Sequence, residues 1–151
     1  MLSLHPPLDI LIVEDEAILV MDLEMLIVEA GHRVVADAAS LQDVVALDQN
    51  VRPDLAFVDM QLADGSNGID VARLIRRRWR DTCIVFVTAN PTQIPPDFCG
   101  AHGVIPKPFS RRGMIAALNY IVEGHRAPPP VVPCPVSFIA SPTISASWSA
   151  R

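Results

Sequence analysis

Four apolar stretches of this chain each end on a reactive side chain. Residues 55–58 run into Asp59, residues 8–13 into Glu14 and Asp15, residues 83–87 into Thr88, and residues 103–106 into Lys107. Three carboxylates brought together raise one another's pKa and are stable as anions only with a cation between them. Hard oxygen ligands of this kind suit Mg2+, which keeps several waters and accepts phosphate oxygens. Asp59 then reads as a carboxylate ready to be phosphorylated, with Glu14 and Asp15 beside it at the metal. A hydroxyl from Thr88 and an ammonium from Lys107 would bind the remaining phosphoryl oxygens. Each residue alone has a plainer account. Asp59 could simply cap a strand or open a turn. Acids at 14–16 suit the positive end of the next helix. Lys107 is the one lysine of an arginine-rich chain, which reflects either codon bias or a place where arginine's fork does not serve.

The constellation exists only if the strands are parallel, so that all their carboxyl ends share one edge. The chain supports this. Leu55-Ala56-Phe57-Val58 is apolar throughout, as in a strand buried on both faces. Residues 8–13 and 83–88 read the same way, residues 32–38 form a second strand, and residues 103–106 a brief last one. Helices are predicted between them. Residues 17–30 are stopped by Gly31, residues 40–49 are capped by Ser40, residues 69–78 by Asn67, and residues 110–123 open at Ser110. Pro91, Pro95 and Pro96 crowd the place of a further helix, so any helix there is short, late or absent. Five strands alternating with helices predict a doubly wound α/β parallel sheet with an irregular fourth helix.

Two surfaces stand out. On the first helix Leu19, Val20, Leu23, Leu26 and Ile27 face the sheet, while Ile18, Met21, Met25 and Val28 recur on the opposite side. That second stripe is either scattered exposure, which is ordinary, or a partner-docking face suited to adaptable methionines. Arg73, Arg76, Arg77, Arg78 and Arg80 form either a solvated helix end or a phosphate-binding patch.

Composition narrows the class. A net charge of −5 argues against a nucleic-acid binder, and three scattered cysteines argue for reduced thiols over a disulfide or zinc framework. No apolar run is long enough to cross a bilayer, so a soluble, cytoplasmic protein is expected. Residues 1–7 read as an N-terminal extension, 8–124 as one domain, and 125–151 as a Pro/Ser-rich tail. The tail is expected to be disordered or extended, with Phe138, Ile139, Ile144 and Trp148 leaving open an arm that docks on another subunit.

The blocks Ile10-Leu11-Ile12-Val13-Glu14-Asp15-Glu16, Phe57-Val58-Asp59-Met60-Gln61-Leu62, Phe86-Val87-Thr88-Ala89 and Pro106-Lys107-Pro108-Phe109 resemble the four motif blocks of bacterial response-regulator receiver domains. The resemblance covers about residues 8–123. It implies a flavodoxin-like sheet of strand order 2-1-3-4-5, as in the chemotaxis member of the family. It further implies that Asp59 accepts a phosphoryl group from a kinase histidine, switching partner binding. Asp15 would ligate Mg2+ directly and Glu14 through water, with Asp59 and the Gln61 backbone carbonyl completing the site. Thr88 and Lys107 would bind the phosphoryl group, and the Lys107–Pro108 bond would be cis. The implied partners are a histidine kinase or phosphotransfer protein, docking on Ile18, Met21, Met25 and Val28, and an unknown downstream protein. Neither DNA nor a membrane is implied, and a homodimer stays open. Such a domain is not an enzyme beyond catalysing its own phosphorylation and slow dephosphorylation.

Two positions depart from the family pattern: Val104 stands where an aromatic is common, and Ala63 where proline is. Two other readings compete. A haloacid-dehalogenase-type phosphatase also uses a nucleophilic aspartate and Mg2+, but it resembles Asp-x-Asp, and Gln61 holds the second position. A pseudo-receiver would bind partners without phosphorylation, against which the full set of acids, Thr88 and Lys107 argues.

Overall fold

A computed structural model describes residues 5–149. Its elements run β1 (Asp9–Val13), α1 (Ala17–Glu29), β2 (Arg33–Ala38), α2 (Leu41–Val45), β3 (Leu55–Val58), α3 (Gly68–Arg78), β4 (Cys83–Thr88), β5 (Gly103–Pro106), α4 (Arg111–Arg126), β6 (Ile139–Ala140) and α5 (Pro142–Trp148). The sheet order is β2-β1-β3-β4-β5-β6, parallel from β2 through β5. The predicted five-strand order is therefore present, with β6 added antiparallel on the β5 edge.

The central strands are apolar on both faces because both faces are covered. Ile10, Ile12, Phe57, Val85 and Ile105 pack toward α1 and α4, while Leu11, Val13, Val58, Ile84, Phe86 and Val104 pack toward α2 and α3. β2, an edge strand, alternates between exposed and partly buried instead. Ser40, Asn67 and Ser110 each accept a backbone N–H in the first turn of the following helix, as their positions predict. The second helix is shorter than predicted, ending at Val45.

Proline governs the segment between β4 and β5. It holds only two 3-10 turns, Pro91–Gln93 and Phe98–Gly100, and three residues in succession, Phe98, Cys99 and Gly100, have positive φ. The expected irregular fourth helix is this pair of turns. Ile94, Phe98 and Ala101 nonetheless pack into the core beside Val104.

The tail requires a correction. The sequence predicts a disordered or extended tail over residues 125–151, or an arm docked on another subunit; residues 127–138 do lack helix and strand, but residues 139–149 fold back on their own domain, and residues 150 and 151 lie outside the described residues. Ile139 and Ala140 pair with Val104 and Gly103. Ser141 caps α5 through the Ile144 N–H, and Pro142 occupies the first helical turn, where its missing N–H costs nothing. Phe138 and Trp148 are buried in the same core as α1 and α4. The proline content hid this because the aromatic side chains find partners far away in sequence.

Candidate functional site

Backbone hydrogen bonds carry the sheet ladder one residue past the strands and so fix each reactive residue. The Asp59 N–H donates to the Val13 carbonyl at 2.9 Å, the Glu14 N–H to Ala38 at 2.9 Å, and the Lys107 N–H to Thr88 at 2.8 Å. Glu14, Asp15 and Asp59 thereby share one edge, with a carboxylate oxygen from each lying within 4.8 Å of the others. Glu14 and Asp59 are buried and Asp15 is exposed. The Lys107–Pro108 peptide is cis.

The lysine ammonium enters between the two buried acids. Lys107 Nζ donates to Glu14 Oε1 at 2.7 Å and to Asp59 Oδ2 at 3.1 Å. Burial works against its charge, but the Glu14 hydrogen bond and the Asp59 charge outweigh it, and the ammonium is held above its ordinary pKa. Burial pushes the Glu14 carboxyl up to about 7, against the lowering effect of Lys107 and of the Glu16 N–H that it accepts. Three carboxylates face one ammonium. That surplus of negative oxygen fits a divalent cation such as Mg2+. Asp59 Oδ1 accepts the Met60 N–H at 2.7 Å, so the carboxylate is held at both oxygens.

Thr88 is buried at the end of β4, and its Oγ1 accepts the Asn90 N–H at 3.1 Å. Gln61 follows Asp59 in the adjoining loop, exposed and bridged to Asn67. Two contributors escaped the sequence reading. One is the Met60 amide. The other is Gly68, whose N–H donates to the Met60 carbonyl at 2.8 Å. A Cβ at Gly68 would lie 2.4 Å from the Asp59 carbonyl oxygen, so only glycine lets α3 start this close to the reactive strand end. A glycine opening a helix soon after the key aspartate was the available signal.

On α1 the inner stripe is buried at Leu23, Leu26 and Ile27. The outer stripe, Ile18, Met21, Met25 and Val28, is 59–75% exposed. Met21, Met25 and Val28 line a cleft of about 720 Å³ with Glu24, Glu29 and Arg111, and the last two form an ion pair. The arginines near the end of α3 are largely engaged locally. Arg78 donates to the Val44 and Leu47 carbonyls and stacks on Trp79, while Arg76 donates to the Gly100 carbonyl.

The family model decides the matter: the response regulator receiver domain matches residues 10–119. The chain belongs to that family. The phyllosphere-induced regulator PhyR of Methylorubrum extorquens is 33% identical over 118 residues, covering 74% of this chain and 42% of PhyR. The transcriptional regulatory protein PdtaR of Mycobacterium tuberculosis is 33% identical over 123 residues, covering 80% and 59% respectively. The chain thus spans about half the length of these curated relatives. Among solved structures, the receiver domain of Erythrobacter litoralis PhyR superimposes with a TM-score of 0.71 at 28% identity, covering 81% of this chain and 95% of that one. In β5 of this receiver Val104 is buried against Ile94, Phe98 and Ala101. No helix among the described residues is long and apolar enough to cross a membrane.

Proposed function

We propose that this receiver accepts a phosphoryl group from a phosphohistidine onto Asp59, and that the change alters which protein it binds. The observation that carries the reading is Lys107 Nζ, bridging Asp59 and Glu14 at the edge that also presents Asp15. A carboxylate oxygen of Asp59 attacks phosphorus, a P–O bond forms, the P–N bond to the donor histidine breaks, and the departing imidazole nitrogen takes a proton from solvent. Met60 N–H and Lys107 hold the carboxylate in place, which removes much of the orientational cost of attack. Lys107 then meets the new phosphoryl charge, and the Thr88 hydroxyl, turned from Asn90, supplies a further hydrogen bond. Asp15 and Asp59 would hold Mg2+ directly, Glu14 through water, and the Gln61 carbonyl would complete the set. Bound there, the ion would neutralise charge on the transferring group. The donor, a histidine kinase or phosphotransfer protein, docks on the α1 stripe of Ile18, Met21, Met25 and Val28. The setting is the cytoplasm, and the domain performs no chemistry on a separate substrate.

Acetyl phosphate with Mg2+ tests the reading by intact mass. One phosphoryl group should add to the wild type and none to Asp59→Asn. Equal labelling of both would refute the assignment of Asp59. An unlabelled wild type would favour the pseudo-receiver, a binding module that works without phosphorylation.

A further inference from the structure

The β5 edge and α4 carry a groove built for one occupant. A Cβ on Gly103 would lie 2.4 Å from Phe138 Cζ and 2.6 Å from the Ile139 carbonyl oxygen. A Cβ on Gly124 would lie 2.6 Å from three ring carbons of Trp148. Between them Ser137 Oγ donates to the Gly113 carbonyl at 2.7 Å, and a Cβ on Gly113 would come within 3.2 Å of the Ser137 Cβ. Gly103 and Gly124, on two elements, thus leave hollows that one stretch of tail fills, while Gly113 lies close to both Ser110 and Ser137. Tyr120 completes the aromatic contact, its ring centroid 5.7 Å from Phe138 and 5.5 Å from Trp148. Glu123 Oε1 accepts the Val131 N–H at 2.7 Å and anchors the run-in from α4.

The groove also adjoins the phosphorylation site. β5 pairs with the tail at Gly103 and Val104, and with β4 from Gly103 through Pro106. Lys107 follows at once. An extended chain rises about 3.3 Å per residue, so the tail seam lies about 10 Å from the lysine backbone along one rigid strand. The tail seam is two residue pairs long, whereas the β4–β5 seam is four. The tail seam is thus the shorter of the two backbone pairings that β5 makes, and hollows filled this tightly leave little slack for a displacement of the strand.

Resting on the reading of Asp59 given above, we propose that residues 136–149 are a cis-acting ligand of the β5 edge and α4, docked while Asp59 is unmodified and released when it is phosphorylated. Release uncovers backbone groups of Gly103 and Val104 together with two glycine-floored hollows. That surface accepts an antiparallel strand carrying an aromatic side chain, the chemistry of the segment that left it.

Trp148 reports the state directly once Trp79, on the opposite side of the sheet, is replaced by phenylalanine. Beryllofluoride with Mg2+ serves as the phosphoryl mimic, and calorimetry records whether it binds. Bound mimic should raise acrylamide quenching of Trp148 at least twofold and remove amide protection over residues 136–149. By reciprocity of linked equilibria, Trp148→Ser and the milder Ser137→Ala should each bind the mimic at least threefold more tightly than wild type. Mimic bound with quenching and exchange unchanged overturns the proposal while sparing the reading of Asp59. Unaltered affinity in a folded Ser137→Ala variant with a detached tail overturns it too. A wild-type protein that takes neither the mimic nor acetyl phosphate overturns both.

Discussion

Replacing Gly124 with alanine sets two opposed effects on one carbon atom. In the interior of a helix alanine is favoured over glycine by about 1 kcal/mol. At this position, however, the new methyl would lie 2.6 Å from three ring carbons of Trp148. Van der Waals contact between carbons needs roughly 3.5–4.0 Å, so the indole must move by about 1 Å. Overpacking of this kind costs about 1–3 kcal/mol, which exceeds the propensity gain. Gly124→Ala should therefore destabilise the wild-type chain by about 1 kcal/mol. In a Trp148→Ala background the clash is gone and only the propensity gain remains, so the same substitution should stabilise by about 1 kcal/mol. The sign reversal, a coupling of about 2 kcal/mol between the two positions, is the diagnostic. Urea unfolding followed by far-UV circular dichroism, run on the four proteins of the cycle, measures it. If Gly124→Ala stabilises both backgrounds equally, Trp148 does not sit on this glycine and the account of the folded tail fails.

Other outcomes test other parts of the molecule. Asp15→Asn should weaken Mg2+ binding, measured by calorimetry, more than Glu14→Gln does, because Asp15 would hold the ion directly and Glu14 only through water; the reverse ranking would mean the two acids are wrongly assigned. Met21→Glu with Met25→Glu should abolish phosphotransfer from a cognate kinase while leaving acetyl phosphate labelling intact, and loss of both would mark the residues as structural. His102 gives a pH dependence. Burial, then the charges of His125 and Arg76, push its imidazole down to about 4, so it stays neutral when folded and charges more readily when unfolded. Its share of stability is complete above the unfolded value near 6.5 and falls as pH drops toward 4, by up to about 3 kcal/mol. Thermal unfolding at pH 7 and pH 5 should show this fall, and His102→Gln should flatten it; identical pH profiles for the two proteins would refute the assignment.

What the sequence made legible is what local pattern encodes. Each reactive side chain ends an apolar run, and a run buried on both faces implies a parallel sheet. Parallel strands bring their carboxyl ends together without further information. The sequence pattern thus places Glu14, Asp15, Asp59, Thr88 and Lys107 on one edge. The helix caps Ser40, Asn67 and Ser110 were equally local. The tail was not, because what orders it is the absence of side chains at Gly103 and Gly124, and a glycine on a strand or helix does not announce what will fill its place. A local signal existed even there: Ser141 followed by Pro142 is a helix start.

The same contrast explains why the site holds a lysine and not one of the chain's many arginines. Glu14 Oε1 and Asp59 Oδ2 converge on a single atom, Lys107 Nζ, in a place where the lysine side chain is 14% exposed. A compact ammonium can donate in both directions from that point, whereas the planar guanidinium spreads its donors over a fork matched to one carboxylate. Arginine serves elsewhere in this molecule where a fork is wanted: Arg78 spans the Val44 and Leu47 carbonyls, and Arg111 takes both oxygens of Glu29. Among the described residues, the lone lysine thus marks the position where acids at the ends of two strands share a cation. An ammonium there can let go of one acid for an arriving anion and keep its hold on the other.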